Sequence, residues 1–167
     1  MSDYRRYRVP GCTWFFTVVT AHRRTWLRHA WARATLGGVM REVRTESPFE
    51  TVAIVILPDH LHAIWRLPGD DDDFAGRWRR IKQRTTLRLR RDFDLRGRLW
   101  QPRFWEHRIR DQADLHRHIE YIHYNPVKHG LVAAASEWQA STFHRYVAEG
   151  VHSLDWAGPA ETIRVGE

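Results

Sequence analysis

The sequence predicts an α+β fold built on a four-stranded antiparallel sheet, and three observations lead to this prediction. Segments rich in β-branched and aromatic residues alternate with segments whose apolar residues recur at helical spacing. Their order along the chain is β-α-β-β-α-β, with a further helix after the last strand. Two successive strands are joined by Pro58-Asp59, a connection short enough only for a hairpin. This order suits a ferredoxin-like βαββαβ fold with two helices on one face of the sheet.

The first half of the chain supplies three of the four strands. Residues 12–21 are apolar on both faces, as expected for a central strand. Apolar residues recur at helical spacing from about residue 29 to 45, and Ser47-Pro48 ends this predicted helix. Residues 49–57 and 60–67 form the hairpin.

The second half adds the fourth strand and three helices. Pro126 and Gly130 mark the end of the helix that follows the fourth strand. The expected elements are a long basic helix, a short strand, the added helix and a short last helix, at residues 74–93, 105–109, 112 to 124 or 125, and 141–149. We treat residues 1–167 as a single domain with a basic lead-in at 1–11 and a tail at 150–167.

The charge balance predicts a polyanionic partner. The chain contains 27 Lys and Arg against 20 Asp and Glu, a net charge of +7, and it contains 9 Trp. Nucleic acid fits this composition, because arginine binds phosphate and aromatic faces stack on bases. A membrane surface is the rival polyanion, but no apolar run approaches the ~18 residues of a spanning helix, and we expect no signal peptide. The one cysteine, Cys12, excludes an intrachain disulfide and a cysteine-based zinc site, which fits a cytoplasmic, nucleoid-associated protein.

The long basic helix is the strongest candidate for a DNA contact. From Arg77 to Arg98 there are ten Lys and Arg and only two acids, Asp92 and Asp94. A solvated helix face is the alternative, but a run of nearly one sign repels itself unless a counter-charge is present. We expect this helix and the lead-in to hold the DNA backbone through Arg5, Arg6, Arg77, Arg79, Arg80, Lys82, Arg84 and Arg88.

Two histidines lie one residue apart on the second strand of the hairpin. Side chains at i and i+2 of a strand point to the same face, so His60 and His62 can offer two imidazole nitrogens to one divalent metal. Leu61, Ala63 and Trp65 point the other way, toward the expected core. A His-x-His pair is also typical of ordinary surface histidines, so a metal site needs a third ligand.

The helix at 112–125 carries the remaining candidates. At ~100° per residue its apolar stripe lies roughly 90° from a polar stripe, which contains Asp114, His118, Tyr121 and Asn125. If the helix covers the His-bearing face of the sheet, Asn125 supplies the third ligand through its side-chain oxygen. Tyr121, one turn back, then points at a DNA phosphate bound by that metal. A tyrosine phenolate can attack a phosphodiester and hold DNA covalently. Boundary packing is the alternative role for this tyrosine.

Four stretches of the sequence resemble one family, in the same order. Pro58-Asp59-His60-Leu61-His62 resembles the His-hydrophobic-His signature of the HUH endonucleases. The segment YIHYNPVKHGLV, which begins at Tyr121, is similar to the single-tyrosine segment of the REP-associated tyrosine transposases, bacterial relatives of the single-tyrosine insertion-sequence transposases. The stretches at 105–111 and 143–146 are also similar to segments of that family. The resemblance spans roughly residues 8 to 156.

The resemblance implies a fold, a reaction and a set of site residues. It implies a ferredoxin-like domain whose added C-terminal helix carries the catalytic tyrosine, with Mg²⁺ or Mn²⁺ as cofactor. The implied reaction cleaves and rejoins single-stranded, hairpin-forming repetitive extragenic palindromic DNA through a 5′-phosphotyrosine, leaving a free 3′-OH. By position, His60 and His62 are the metal pair, with Asn125 as third ligand. Tyr121 is the nucleophile.

Three points stay open. Tyr124 is a rival nucleophile, but it lies ~300° around the helix from Tyr121 and nearer the apolar stripe, so we prefer Tyr121. Insertion-sequence relatives work as dimers, whereas the REP-associated branch is implied to be monomeric, so we expect a monomer with a dimer as the alternative. Trp100 and Trp105 are candidates for base stacking, although core packing is the commoner role.

Two other classes of function compete with a DNA transposase or nuclease. A non-catalytic nucleic-acid-binding module on the same fold would share the sheet, the aromatic residues and the basic residues. Such a module would not need the two histidines together with Tyr121 and Asn125. A His-x-His metallohydrolase of small molecules would leave the net charge of +7 and the basic helix unexplained.

Overall fold

The structure, a computed structural model, describes residues 9–159, and its elements follow the predicted order. The strands β1 to β4 span Thr13–Val19, Glu50–Ile56, His60–Arg66 and Trp105–Arg108. The helices α1 to α4 span Ala30–Glu46, Phe74–Phe93, Gln112–Lys128 and Phe143–Ala148. Within residues 9–159 no helix is long and apolar enough to cross a membrane.

The four strands form one antiparallel sheet in the order β2-β3-β1-β4. β1 and β3 are the inner strands, as the apolar character of both faces of β1 predicted. The register places Thr17 of β1 opposite His62 on one side and opposite Trp105 on the other. This strand order, with helices after β1 and β3, confirms the predicted ferredoxin-like fold.

One face of the sheet packs against α1 and α2. β3 presents Leu61, Ala63 and Trp65 to this side, as its alternation predicted. The Trp65 ring stacks on Trp78 of α2 with 4.2 Å between ring centroids, and both are almost fully buried. Burial of large apolar side chains in this layer is the main favourable contribution to folding.

The opposite face of the sheet packs against α3. Phe15 and Ile64 of the sheet form a second apolar cluster with Ile119 and Ile122 of α3. Since side chains alternate along a strand, the histidines of β3 share the face of Ile64. The apolar stripe of α3 therefore holds this helix over the His-bearing face, which is the condition that the predicted site required.

α3 is longer than the sequence predicted. We expected it to end at Tyr124 or Asn125, but it continues to Lys128 with Pro126 inside it. Proline removes one backbone donor, yet the next turn is closed by the N–H of His129, which donates to the Asn125 carbonyl at 3.0 Å. The extra turn brings Lys128 back to the face of the helix that holds Tyr121.

Candidate active site

A neighbouring side chain fixes each of the two histidines of β3. Nδ1 of His60 lies 2.6 Å from Oδ1 of Asp59, and Nδ1 of His62 lies 2.9 Å from Oγ1 of Thr17. With Nδ1 engaged, Nε2 of each ring is the atom presented as a ligand. The two ring centroids lie 4.9 Å apart, so the pair can bind one ion.

Both imidazoles are held in the neutral form that binds metals. Burial lowers the pKa of His60 below its ordinary value, although the hydrogen bond and charge of Asp59 oppose this effect. Burial also lowers the pKa of His62 well below its ordinary value, and the neighbouring His60 and His129 add to the effect. A neutral imidazole keeps a lone pair for a cation, so metal binding at neutral pH displaces no proton.

Three of the buried side chains at this site have polar atoms without a hydrogen-bond partner among residues 9–159. These atoms are Nε2 of His60, Nε2 of His62 and both side-chain polar atoms of Asn125. Asn125 lies on α3 between Tyr121 and His129, and each of these two contacts one of the histidines. An unpartnered buried polar atom costs ~1–3 kcal/mol. Two imidazole nitrogens and an amide oxygen are ligands for a divalent cation that keeps open positions, so the donor set fits a divalent metal.

Tyr121 lies beside this donor set. Its ring centroid is 5.2 Å from that of His62 and 6.0 Å from that of Phe15, and only 4% of the side chain is exposed. Tyr124 instead contacts Trp156 of the C-terminal segment, with 6.2 Å between ring centroids. Tyr121, and not Tyr124, is therefore the tyrosine seen in contact with the histidine pair.

Besides Asp59 and Thr17, sequence reasoning missed two residues from the end of α3. Nζ of Lys128 lies 3.4 Å from the phenol oxygen of Tyr121 and 4.8 Å from its ring centroid. The His129 ring lies 5.3 Å from that of His60. The seventh residue after Tyr121 returns to the same face of a helix. That signal was present in the sequence, but Pro126 was interpreted as the helix end.

A second polar cluster joins β4 to the start of α3. Asp114 Oδ2 lies 2.9 Å from His107 Nε2, and it accepts a hydrogen bond from the backbone N–H of Arg110 at 3.0 Å. The His118 ring stacks on His107 with 4.8 Å between centroids. Burial opposes ionisation of Asp114, but the bonds from His107 and Arg110 outweigh it, so the pKa of Asp114 lies far below its ordinary value.

The atoms of this second cluster are also spaced like metal ligands. One ligand-capable atom from each of His107, Asp114 and His118 lies within 4.8 Å of the other two. However, Arg110 and Arg117 already form ion pairs with the Asp114 carboxylate. Asp114 and His118 had no assigned role in the sequence; the structure makes them the contact that holds α3 against β4.

The structure corrects the expectation that Arg77 contacts DNA. This residue is 1% exposed, and its guanidinium donates to the Asp71 carboxylate and to the carbonyls of Ser47 and Pro48. Its donors are used inside the protein, where they fix the start of α2 against the end of α1.

Part of the counter-charge for the basic helix comes from α1. Arg84 and Arg88 donate bidentate hydrogen bonds to Glu46 and Glu42. The charge argument therefore does not require DNA at these positions. Among the other predicted DNA contacts, Arg80 donates to Ser47, Arg79 and Lys82 lie on the outer side of α2, and Arg5 and Arg6 lie outside the described residues.

The two candidate tryptophans differ in position. Trp100 is 6% exposed and packs edge-on against Trp26 in the core. Trp105 is 38% exposed and lies opposite Thr17 in the register, on the His-bearing face. Because Thr17 also contacts His62, Trp105 lies at the edge of the candidate site.

Comparison with known proteins identifies the family. A profile of the family described as Transposase IS200 like matches residues 8–125. The REP-associated tyrosine transposase of Escherichia coli (strain K12) is 47% identical over 167 residues, which cover 100% of this chain and 98% of that protein. The chain belongs to the REP-associated tyrosine transposases. A putative REP-associated tyrosine transposase of Haemophilus influenzae is 40% identical over 175 residues, which cover 95% of this chain and 94% of that protein.

Solved structures agree with this assignment. The structure of a REP-associated tyrosine transposase bound to a REP hairpin has a TM-score of 0.89 and 46% identity, and the match covers 100% of this chain and 98% of that one. A putative transposase from Deinococcus radiodurans R1 has a TM-score of 0.51 and 21% identity over 74% of this chain and 98% of that one, which supports the fold alone. The predicted family is confirmed, and this transposase is an enzyme of a DNA-cleaving, generally metal-dependent family.

Proposed function

We propose that this transposase cleaves and rejoins single-stranded DNA at hairpin-forming repetitive extragenic palindromes through a 5′-phosphotyrosine on Tyr121. Mg²⁺ or Mn²⁺ is held by His60, His62 and Asn125. The substrate is inferred from the relative bound to a REP hairpin, with which this chain shares 46% identity over its full length. The observation that carries the proposal is that the Tyr121 ring centroid lies 5.2 Å from that of His62. The buried ligand atoms of His60, His62 and Asn125 have no hydrogen-bond partner among residues 9–159.

Tyr121 is the nucleophile of the proposed reaction. Its phenol proton leaves to solvent, the phenol oxygen forms a bond to the scissile phosphorus, and the bond from phosphorus to the 3′ oxygen breaks. The products are a 5′-phosphotyrosine and a 3′ oxygen that takes up a proton. Rejoining reverses the exchange, with a 3′-OH as nucleophile and the tyrosine oxygen as leaving group. Burial of the ring holds the phenol oxygen in one position through both steps.

Lys128 stabilises negative charge on the Tyr121 oxygen. Its ammonium lies 3.4 Å from that oxygen, and charge develops there both before attack and during rejoining. A fixed cation at this point stabilises the negatively charged oxygen of the transition state more than the neutral phenol of the resting enzyme, so it lowers the barrier. The turn of α3 after Pro126 holds Lys128 in this position.

The three metal ligands prepare a site for a hard divalent cation. When bound, such an ion polarises the scissile phosphate and offsets the charge that develops on it. The protein keeps His60 and His62 neutral, and Asp59 and Thr17 fix their orientation. Trp105 offers a partly exposed ring at the edge of the site, where an unpaired base beside the scissile phosphate can stack.

A cleavage assay tests this function. The protein is incubated with hairpin oligonucleotides carrying single-stranded flanks, labelled on either side of the cleavage point, with Mg²⁺, Mn²⁺ or EDTA. We expect one product with a 3′-OH that a polymerase extends and one product linked to protein through its 5′ end. Tyr121→Phe abolishes both products, Tyr124→Phe keeps them, and EDTA prevents them.

The same assay separates the rival functions. Binding without cleavage for any hairpin or metal would favour a non-catalytic DNA-binding module. Loss of both products in Tyr124→Phe, but not in Tyr121→Phe, would overturn the choice of nucleophile. One chain brings together all four proposed site residues, which supports a monomer as the active species.

A further inference from the structure

The outer side of α2 forms one wall of a groove that the proposed reaction does not use. The other wall is the loop at 98–104, which leads into β4. We call this feature the α2 groove. Its volume is about 820 Å³, and it extends along α2 from Asp73 to Arg90. Apolar side chains also line the groove, among them Leu87, which is 58% exposed.

The rim of the α2 groove is basic. It carries Arg79, Lys82, Arg90 and Arg98, against one acid, Asp73. The Asp73 carboxylate caps the start of α2 by accepting from the backbone N–H of Gly76 at 2.9 Å. Among residues 9–159, no carboxylate lies within 4.0 Å of the guanidinium of Arg79, Arg90 or Arg98. On the α1 side, Arg84 and Arg88 are neutralised by glutamates of α1, whereas these three groove arginines have no such partner among the residues described.

The two walls of the groove are tied together. Nζ of Lys82 donates to the Gln101 carbonyl at 2.9 Å, and the Arg90 guanidinium donates to the Gly97 carbonyl at 2.9 Å. The floor is closed by Trp100 and Phe104, both buried in the core. A partner therefore meets a formed groove and does not have to order the loop, which reduces the cost of binding.

We propose that the α2 groove is a second DNA-binding surface, and that it holds the sugar-phosphate backbone of the single strand that flanks the hairpin. The inference rests on the proposed function for the presence of a hairpin with a flank. A basic rim over an apolar floor is the combination that binds single strands, because phosphates meet the rim and bases meet the floor. Arg79 and Arg90 are about 16 Å apart along the helix, enough to face roughly three to five consecutive phosphates.

The shape of the groove favours a single strand over a duplex. A duplex is much wider than one strand and would rest on the rim, leaving the floor and Leu87 uncovered.

The position of the groove agrees with binding of DNA that flanks the hairpin. α2 packs on the face of the sheet opposite His60 and His62, so DNA held here is not at the scissile phosphate. β4 is the nearby edge of the sheet, and DNA that runs from the groove to the histidines passes around it. Arg103 and Arg108 are exposed at this edge.

Equilibrium binding of two DNA probes tests the proposal. One probe is a hairpin with a labelled single-stranded flank, and the other is the same hairpin with a blunt end. The test variant is Arg79→Ala/Arg98→Ala, because both side chains are exposed. The matched control is Arg41→Ala/Arg44→Ala, which removes two exposed arginines from α1 and the same net charge.

We expect the test variant to weaken binding of the flanked hairpin tenfold or more. The slope of log affinity against log salt should fall by about 1.4, or about 0.7 for each lost phosphate contact. Binding of the blunt hairpin, and of both probes to the control variant, should change less than twofold. Equal losses for both probes would mean a duplex contact, and equal losses in the control would mean a general charge effect; either result overturns the proposal, as does unchanged binding.

Adduct formation by the unaltered protein, measured on the same probes, keeps the two proposals separate. Flank-dependent binding that requires the groove, without any adduct, would leave the groove in place and contradict the proposed catalysis. Adduct formation, together with equal DNA binding by the unaltered protein and the test variant, would support the proposed catalysis and contradict the groove proposal. Thermal melting of both double variants controls for folding.

Discussion

At the scale of single residues, the candidate site depends on which nitrogen each histidine presents. Asp59 and Thr17 engage Nδ1 of His60 and His62, which leaves Nε2 of both rings for a cation. The carboxyl of Asp59 is suited to this role. Burial opposes its ionisation, but the hydrogen bond and charge of His60, together with Arg23, keep its pKa below the ordinary value. An ionised Asp59 fixes the His60 tautomer and strengthens that imidazole as a ligand.

Replacing Asp59 should therefore weaken metal binding. We expect Asp59→Ala to lower Mn²⁺ affinity about 10- to 100-fold, the usual effect of removing a hydrogen-bond partner of a metal-binding histidine. Titration of Mn²⁺ followed by electron paramagnetic resonance measures this. Arg23→Ala is the control, since it removes the other partner of Asp59 and leaves the bond to His60. An unchanged affinity in Asp59→Ala would contradict the assigned orientation of His60.

Replacing Lys128 should slow the chemical step. Lys128→Met removes the cation 3.4 Å from the Tyr121 oxygen, and we expect single-turnover cleavage at saturating DNA to fall about 10- to 100-fold. Lys128→Arg, which keeps the charge, should recover part of the rate. Arg44→Met, an exposed change on α1, should have no effect. Full activity in Lys128→Met would mean that this contact has no part in the reaction.

The sequence was sufficient to propose His60, His62, Tyr121 and Asn125, because strand and helix periodicity determine which face each side chain occupies. It was not sufficient for Asp59, Thr17 and Lys128. Thr17 reaches His62 across a strand pair whose register only the folded sheet defines. The position of Lys128 depends on a helix turn beyond Pro126, where proline ordinarily predicts that a helix ends.

At the scale of elements, α3 must be held at a fixed distance from the sheet. Ile119 and Ile122 seat the helix over Phe15 and Ile64, and the cluster around Asp114 ties its first turn to β4. These two contacts together determine where Tyr121 lies. The apolar stripe was predictable from spacing, but the ion pairs of Asp114 were not, because His107 belongs to a different element.

Removing the charge of Asp114 should destabilise the protein in a pH-dependent manner. The folded-state pKa of Asp114 is depressed, so its contribution is present above the unfolded value of 3.8 and is lost as pH falls through the folded value. We expect Asp114→Asn to lower the free energy of unfolding by about 2–4 kcal/mol at pH 7. The difference should shrink at and below pH ~3.

Urea denaturation at pH 7 and pH 3 measures this contribution. Asp92→Asn is the control, because that carboxylate lies at the surface of α2 and pairs only with its exposed neighbour Arg91 among the residues described. It should leave the free energy of unfolding almost unchanged at either pH. A pH-independent loss in Asp114→Asn would mean that packing, and not the charge, is responsible.

The basic helix shows where charge counting fails at this scale. The run from Arg77 to Arg98 was correctly identified as needing counter-charge. However, Glu42 and Glu46 of α1 provide it for Arg88 and Arg84. Only packing of α1 against α2 reveals this division, and sequence alone assigns the same role to both faces of the helix.

At the scale of the whole molecule, one chain contains every residue of the proposed site. If this monomer is the active species, two inactive variants cannot restore one another. We expect a mixture of Tyr121→Phe and His60→Ala/His62→Ala to remain inactive on hairpin DNA. Cleavage recovered on mixing would mean that a tyrosine from one chain meets the histidines of another. Light scattering of the unaltered protein with DNA checks the stoichiometry.

The central claim is that Tyr121 attacks a phosphate held at His60, His62 and Asn125. The most direct test traps the covalent adduct with hairpin DNA and Mn²⁺, digests both protein and DNA, and locates the nucleotide by mass spectrometry. We predict a nucleotide attached through its 5′-phosphate to Tyr121, and none on the same peptide when the histidines are replaced by alanine. A nucleotide on Tyr124, or an adduct that persists without the histidines, would contradict the account.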